Sequence, residues 1–523
     1  MGVIGSSRRE FVAMLLGAPI AATLGCRRAP GLPPGSLIET GMTNGHARVR
    51  DLRAPPVPAT WRHHRVAIVG AGVAGLGAAW ELRRRGIDDV VVFELDAVSG
   101  GTARGGESVV TRYPWGAHYI VAPQKDQGEL IALLGELGAL DGAAADGTPI
   151  VDEALRCREP EERVFYRGRW YEGLYLDAGA TREDLRQLDV FKKQVDRYAG
   201  WRDAEGRSAF AIPTRRSTDD PEITALDQQS FAAWLDGHGL TSERLRWLCD
   251  YACRDDYTLL ARDTSAWAGL FYFAARQRAP GAASQTVVTW PDGNATLVRH
   301  LAATARIETG VAIASAGEDG TLVAVGADGV FGVRADQVII AVPTFVRDRI
   351  VTHNVMHGDY GAWAVANVHL RARPVEAHHA PAAWDNVFRD SPSLGYVSAT
   401  HQRGRDRGPT VWTWYYPFPG DAQDARRRLA GAGYAEWAEV VLADLERAHP
   451  EIRSLVDHIE VAFWGHGMIR PRTGSLFTAA RAERARPAGK LHFAHTDLSG
   501  LALFEEAFDH GIRAAREVAE ALG

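Results

Sequence analysis

Three glycines, Gly70, Gly72 and Gly75, follow the apolar run Arg65-Val66-Ala67-Ile68-Val69 and open a helical stretch that continues through Ala78 to Arg85. This is a strand breaking into Gly-x-Gly-x-x-Gly. The first glycine permits the tight turn, the second lets backbone approach a pyrophosphate, and the third lets helix pack closely on strand. Val73 and Ala74 then stand at the positive helix end, where backbone amides meet phosphate. A second apolar run, Val90-Val91-Val92-Phe93, ends in Glu94. That carboxylate lies about 20 residues past the glycines, where the ribose hydroxyls of a dinucleotide need an acceptor. The chemistry these residues imply is dinucleotide binding.

A second glycine cluster, Ser99-Gly100-Gly101-Thr102-Ala103-Arg104-Gly105, follows Glu94. With the first, it resembles the flavin amine oxidase and phytoene desaturase superfamily, in which Glu-x5-Gly-Gly wraps the FAD pyrophosphate and an Arg usually comes next. Here Thr102 takes that place and Arg104 stands two residues later. Leu491-His492-Phe493-Ala494-His495-Thr496-Asp497, then Glu505 to Gly511 and a helix, is similar to the family's closing segment. The resemblance implies that Asp497 contacts the ribityl chain and that backbone around Leu503, Phe504 and Glu505 faces the pyrimidine edge of the flavin. That edge suits a helix N-terminus, because reduced flavin carries negative charge there. Ile307 to Ile313, with Val311, resembles the strand that clamps the adenine. Gln337 to Pro343 resembles the strand returning to the nucleotide domain. FAD is therefore the expected cofactor, bound non-covalently, since Cys157, Cys249 and Cys253 do not match the family's covalent position.

Candidates for the reaction itself are placed by the same resemblance. Trp115-Gly116-Ala117-His118-Tyr119 is similar to the segment passing the reactive face of the flavin, which makes His118 a candidate. Phe463-Trp464-Gly465-His466 precedes the final nucleotide segment and offers Trp464 and His466. Asp255 and Asp256 are adjacent carboxylates at a helix end, read first as ion-pair partners of Arg254. Oxidases of the superfamily commonly hold a water against flavin N5 with a Lys. This chain has only Lys125, Lys192, Lys193 and Lys490, none in a matching segment. Cys249 and Cys253 share a face of a helix at i, i+4, a spacing that does not suit a disulfide. Two more ligands would be needed for a metal, and no metal centre is assigned.

These residues require an α/β fold: a Rossmann-like FAD-binding domain with a parallel sheet, interleaved with an α+β substrate domain. The nucleotide domain is expected from 61–125, 286–345 and 466–523, and the substrate domain from 126–285 and 346–465. The latter segments are rich in aromatics, and Val411-Trp412-Thr413-Trp414-Tyr415 alternates like a strand with one aromatic face buried. Residues 1–26 resemble a twin-arginine signal, with Arg8-Arg9 before a short apolar run, which implies export of the folded protein to the periplasm by the twin-arginine translocation machinery. Thr23-Leu24-Gly25-Cys26 is similar to a lipoprotein cleavage box. Two outcomes follow: a lipid anchor at Cys26 with 27–60 as a Pro/Gly-rich tether, or soluble release.

The chain of 523 residues is 46% hydrophobic and holds 15 Trp, a globular composition with length for two domains. Its net charge of −6 becomes −7 without Arg8, Arg9 and Glu10, and no basic patch points to nucleic acid. Three function classes fit. The first is oxidation of an amine C–N bond, of a polyamine or amino acid, and the second is desaturation or isomerisation of an apolar C–C substrate. The third is a non-catalytic flavoprotein. Carboxylates converging on an aromatic pocket would favour the amine.

Overall fold

The computed structural model describes residues 31–523 apart from 53, 278, 283–285, 353–357, 377–379 and 405–406. The sequence-read strand Trp61–Val69 is the centre of a seven-stranded sheet. It pairs in parallel with Val90–Phe93 on one side and with Gly332 to Ile340 of strand Gly329–Ile340 on the other. Ile307–Glu308 extends the sheet beyond Val90–Phe93, and Leu491–Phe493 pairs with Gly329–Ile340, both in parallel. The N-terminal half of Gly329–Ile340 turns back as an antiparallel hairpin with Thr321–Gly326, which pairs in turn with Ala312–Ala316. Strands buried on both faces need apolar residues at every position. Val66 to Val69 and Val91 to Phe93 supply them, all at 5% exposure or less.

Two helices cover one face of this sheet. Val73–Arg84 and the closing helix Phe504–Leu522 run against each other at glycines. A Cβ at Gly77 would meet the Phe508 ring at 2.9 Å, and one at Gly511 would meet the Ala74 carbonyl oxygen at 2.2 Å. Helix Gly128–Glu136 joins the same core through Leu130, Leu133 and Leu134, so part of the segment expected in the substrate domain packs with the nucleotide domain.

The second sheet has eight strands in the order Gly35–Ile38, Val456–Ile469, Tyr360–Leu370, Thr410–Phe418, Gly395–Ser398, Asp385–Phe388, Glu162–Tyr166 and Arg169–Glu172. Three of its strands correct the sequence reading. Thr410–Phe418 is buried at every position, not on one face. Trp412, Trp414, Tyr416 and Phe418 pack beneath helices Ala422–Gly431 and Tyr434–Glu446, while Tyr415 looks the other way. Gly35–Ile38 lies in the stretch expected to be a loose tether, yet it adds a parallel edge strand to Val456–Ile469. Val456–Ile469 also carries His466 within the substrate sheet rather than the nucleotide domain. A helical layer including Arg182–Gly200, Phe231–Gly237, Glu243–Tyr257 and Ala266–Ala274 forms a separate core. Cys249 and Cys253 are fully buried free thiols on the third of these helices. No helix among the described residues is long and apolar enough to cross a membrane. The signal motif and Cys26 lie outside the described residues.

Candidate active site

The nucleotide end of the site is built from backbone. Gly70 (φ 98°), Gly100 (φ 118°) and Gly101 (φ 56°) hold left-handed conformations that glycine adopts readily. A Cβ at Gly70 would meet the Ala341 carbonyl oxygen at 2.6 Å, and one at Gly75 the Gly70 carbonyl oxygen at 1.9 Å. At Gly72 a Cβ would meet nothing within 4 Å. Gly72 opens helix Val73–Arg84 without a side-chain cap, so the first amides, at Val73, Ala74 and Gly75, face that space. Gly101 lies beside it, and Gly100 N donates to Ala71 O (2.8 Å). Two glycine loops thus enclose a cradle of the kind a pyrophosphate fills.

Glu94 braces this cradle. Its two oxygens accept from Ala71 N (2.7 Å) and Asp96 N (2.9 Å), a role beyond the expected ribose contact. Burial raises its pKa against those amides. Val311 N donates to Glu94 O (2.8 Å), which brings the expected adenine strand to the ribose position. Arg104 is committed to protein partners: it pairs with Asp96 (2.7 Å), donates to Glu39 O (3.0 Å) and lies over the Trp464 ring at 5.0 Å. The two-residue shift from the family pattern has turned this guanidinium onto protein partners.

Asp497 is buried at the start of helix Thr344–Val351, where Thr344 N donates to it (2.7 Å) and the Tyr360 hydroxyl donates to the same oxygen. His495 Nδ1 is 3.0 Å from its other oxygen. Burial works to raise the Asp497 pKa, but His495, Thr344 and Tyr360 outweigh it and hold the carboxyl below its usual range. The carboxylate expected at the ribityl chain is thus anchored in a protein network. Phe504 stacks on Phe508 at 6.0 Å and starts the closing helix, whose Glu505 accepts from Val121 N (3.1 Å).

The pairing of 102–104 with 115–117 carries His118 past the glycines: Trp115 N donates to Arg104 O (3.0 Å) and Ala117 N to Thr102 O (3.1 Å). The His118 ring sits 5.2 Å from Tyr119, 5.2 Å from Trp384 and 5.1 Å from Tyr415. Burial lowers its pKa to about 4, so the imidazole is neutral. Trp464 is held by donation to Trp115 O (2.7 Å) under Arg104, a packing role that leaves its indole N–H unavailable to a substrate. His466 stacks on Phe345 at 4.5 Å beside Tyr360, on the Asp497 side, and is not part of the His118 group. Burial, then Arg426, lowers its pKa to about 4.

Beside Trp384, whose ring packs on His118, the structure assembles carboxylates that the sequence left scattered. Asp385 and Glu162 are register partners on neighbouring parallel strands. Burial pushes Glu162 up to about 8 and Asp385 up to about 7, the latter although Tyr251 donates to it at 2.9 Å. Glu161 is raised by burial and by Glu159. Asp255, at the end of helix Glu243–Tyr257, has no hydrogen-bond partner among the described residues. Burial and its neighbours Asp256 and Asp385 push its pKa well up. Glu161, Glu162, Asp255 and Asp385 all keep accessible surface. With Tyr251, Tyr272 and Tyr415, whose hydroxyl pKa values are raised by burial and by Glu162, Asp255 and Asp385, and with the neighbouring rings of Tyr119 and Trp384, they make up one acidic aromatic cluster, the chamber.

Asp256 is satisfied, but by Arg276 (2.8 Å) and not by Arg254, which donates to backbone carbonyls at 392 and 393. Arg276 also donates to the Tyr119 hydroxyl (2.8 Å) and covers Tyr272 at 4.1 Å. Thr258, left-handed at φ 54°, ends the acidic helix and accepts from Trp363 Nε1 (2.7 Å). The four lysines are all exposed. Of the carboxylates and histidines at the chamber, sequence reasoning named His118 and Asp255. Glu161, Glu162 and Asp385 escaped it because strand pairing brings them in from more than 200 residues apart.

The glycine cradle, the Glu94 brace and the enclosed aromatic chamber define an FAD-dependent oxidoreductase. The flavin-containing amine oxidoreductase family matches residues 73–519, and the chain belongs to it. Putrescine oxidase bound to putrescine shares the fold with a TM-score of 0.64 at 20% identity, over 88% of this chain and 100% of that one. Cyclohexylamine oxidase from Brevibacterium oxydans gives 0.60 at 16%, over 88% and 99%. A fatty acid isomerase from P. acnes gives 0.60 at 16%, over 87% and 98%. A Baeyer-Villiger monooxygenase of Pseudomonas aeruginosa is 46% identical over 71 residues, which span 14% of this chain and 12% of that protein.

Proposed function

We propose that this enzyme oxidises the C–N bond of a cationic amine, and the observation that carries the reading is the unpartnered carboxylate Asp255 beside Glu161, Glu162 and Asp385 in an aromatic chamber. An apolar chain would gain nothing from four partly buried carboxylates, whose charged forms burial disfavours until a cation is present. An ammonium group satisfies them, and the faces of Tyr119, Tyr272, Trp384 and Tyr415 add cation–π attraction. FAD, when bound, supplies the two-electron acceptor.

The residues that fit it are Gly70, Gly72, Gly75 and Gly101 at the pyrophosphate and Glu94 at the ribose. Cys157, Cys249 and Cys253, the free thiols among the described residues, do not match the family's covalent position, and the reading is of non-covalent FAD. The reacting nitrogen must be neutral to lose hydride from its neighbouring carbon. His118, its pKa lowered by burial to about 4, is too weak a base to hold a proton from the incoming ammonium, whereas Glu162 and Asp385, pushed up to about 8 and about 7, are matched to take it. The carboxylates hold and orient the cation while the rings exclude water. The same reading includes export through Arg8-Arg9, which suits a cofactor loaded before translocation. The fold's likeness to a fatty acid isomerase is tested against the amine directly. Anaerobic mixing with diamines, monoamines, amino acids and unsaturated fatty acids should bleach the flavin band with an amine. Isomerisation of a fatty acid without response to any amine would overturn the proposal.

A further inference from the structure

Away from the flavin chamber, strands Tyr360–Leu370 and Val456–Ile469 bring together three side chains that the sequence keeps about 90 residues apart. His369 and His458 are direct register partners, and Glu460 lies two residues along from His458, on the same face of the sheet. One nitrogen of each His and one oxygen of Glu460 lie within 4.8 Å of one another. His369 is 4% exposed, and its Nε2 makes no hydrogen bond of proper geometry although Glu460 Oε2 is 3.4 Å away. The Tyr113 hydroxyl donates to that same Glu460 oxygen (2.7 Å), and the Tyr113 ring stands edge-on to His369 at 4.9 Å.

We propose that His369, His458 and Glu460 form a binding site for one divalent transition-metal ion, zinc by preference, at the end of the substrate sheet opposite its acidic strands. Two imidazoles and a carboxylate are the donor set of borderline ions. Zn–N and Zn–O bonds of 2.0–2.2 Å put neighbouring ligand atoms about 3.3 Å apart, so the three donors must close in. His369 is fixed by burial and Glu460 by Tyr113. His458 is the adjustable ligand: its side chain is 36% exposed, its Nδ1 faces Asp457 at 3.0 Å, and its ring stacks on His369 at 3.9 Å. Two stacked rings cannot both point a lone pair at one ion, so binding requires the His458 ring to turn out of the stack. The fourth position is left to water or the Tyr113 oxygen. No electron transfer is involved, since zinc has no redox chemistry.

The site would brace the strand that carries Trp464 to the one that carries Trp363, and both to the segment leading from Tyr113 to His118. The test uses FAD-loaded protein stripped with chelator and titrated with Co2+ alone, then with Zn2+ in competition. One equivalent of Co2+ should bind with the visible absorption of a low-coordinate nitrogen–oxygen site, and Zn2+ should displace it. His458→Ala, at the half-exposed position, should keep the flavin spectrum but lose more than about 100-fold in affinity, beyond the 10–100-fold cost of outer-shell changes. Glu460→Gln should behave likewise. Failure of the wild type to bind an equivalent of Co2+, or equal binding by wild type and His458→Ala, would overturn the site. Flavin bleaching by amines is read separately, so loss of the metal site leaves the amine proposal standing.

Discussion

Gly72 carries a clear expectation at the scale of single residues. A Cβ there touches no protein atom, so Gly72→Val should fold, and the added branches fill the space the pyrophosphate needs. The variant is expected to purify colourless with an unchanged far-ultraviolet spectrum; flavin occupancy equal to wild type would place the cofactor elsewhere. Glu94→Ala removes the acceptor of two buried amides as well as the ribose contact, costing about 1–3 kcal/mol per unsatisfied group. In the chamber, Asp255→Asn keeps the shape and removes the charge. KM for a diamine should rise roughly 10- to 100-fold, the worth of a hydrogen bond between charged groups, with kcat little changed. An unchanged KM would show that the cation lies elsewhere. Glycines and Glu94 were legible because local geometry alone dictates them. Arg104 was not, since whether a guanidinium meets an anion or turns to Asp96 and Trp464 depends on packing from strand Val456–Ile469.

Among the elements, residues 33–52 gain a role that their Pro/Gly composition concealed. The Pro33 and Pro34 carbonyls accept from the Tyr434 hydroxyl (2.8 Å) and Ile459 N (3.0 Å), and Gly35–Ile38 adds its parallel strand. Beyond it, Glu39 O meets Arg104, Arg48 donates to Gly310 O (2.9 Å), and Arg349 donates to Arg50 O (2.9 Å). Gly310 precedes the strand expected at the adenine and Arg104 follows the second glycine cluster, so this strap crosses the end of the cleft expected to hold the nucleotide. Deleting 31–52 should leave both sheets folded yet speed FAD release at least about tenfold, the effect of some 1.4 kcal/mol. Flavin fluorescence after dilution reads this out, and an unchanged release rate would reduce the strap to a decoration of the sheet edge. Composition misled here because proline and glycine mark loops on average, while an edge strand needs only a few free backbone groups to pair. The alternating Trp412 and Trp414 misled differently. Alternation showed a strand, but helices Ala422–Gly431 and Tyr434–Glu446 bury the second face, and no local pattern in the strand foretells that.

For the whole molecule, the chamber makes stability depend on pH. Glu162 and Asp385 titrate at about 8 and about 7 in the fold, both raised by burial, against ordinary carboxylate values near 4 when unfolded. The folded state therefore binds more protons than the unfolded one across this window, and the stabilisation is present below about pH 4 and lost as pH rises through 7 and 8. Asp497 acts oppositely: its lowered pKa favours the fold above the ordinary carboxylate range and is lost only in acid. Thermal midpoints of the ligand-free, FAD-loaded protein should fall between about pH 6 and pH 9, and a diamine should restore more at the alkaline end, where the carboxylates it meets are charged. A midpoint flat across that window, with or without diamine, would remove the acidic chamber from the energetics.

The proposed export would join the cofactor cleft to the N-terminal segment. The strap across the nucleotide end begins only a few residues after Cys26, so the proposed export would require FAD to enter and residues 33–52 to dock before translocation. Twin-arginine recognition depends on guanidinium pairs, whose planar donor sets lysine does not reproduce. Arg8→Lys/Arg9→Lys should leave yellow, folded enzyme in the cytoplasm, and Gly72→Val, unable to hold FAD, should be exported poorly despite an intact signal. Cell fractionation with flavin absorbance separates the two effects. Normal periplasmic delivery of the double-lysine variant would refute the signal, whereas delivery of colourless Gly72→Val at the wild-type level would leave the signal intact and break its coupling to the cofactor.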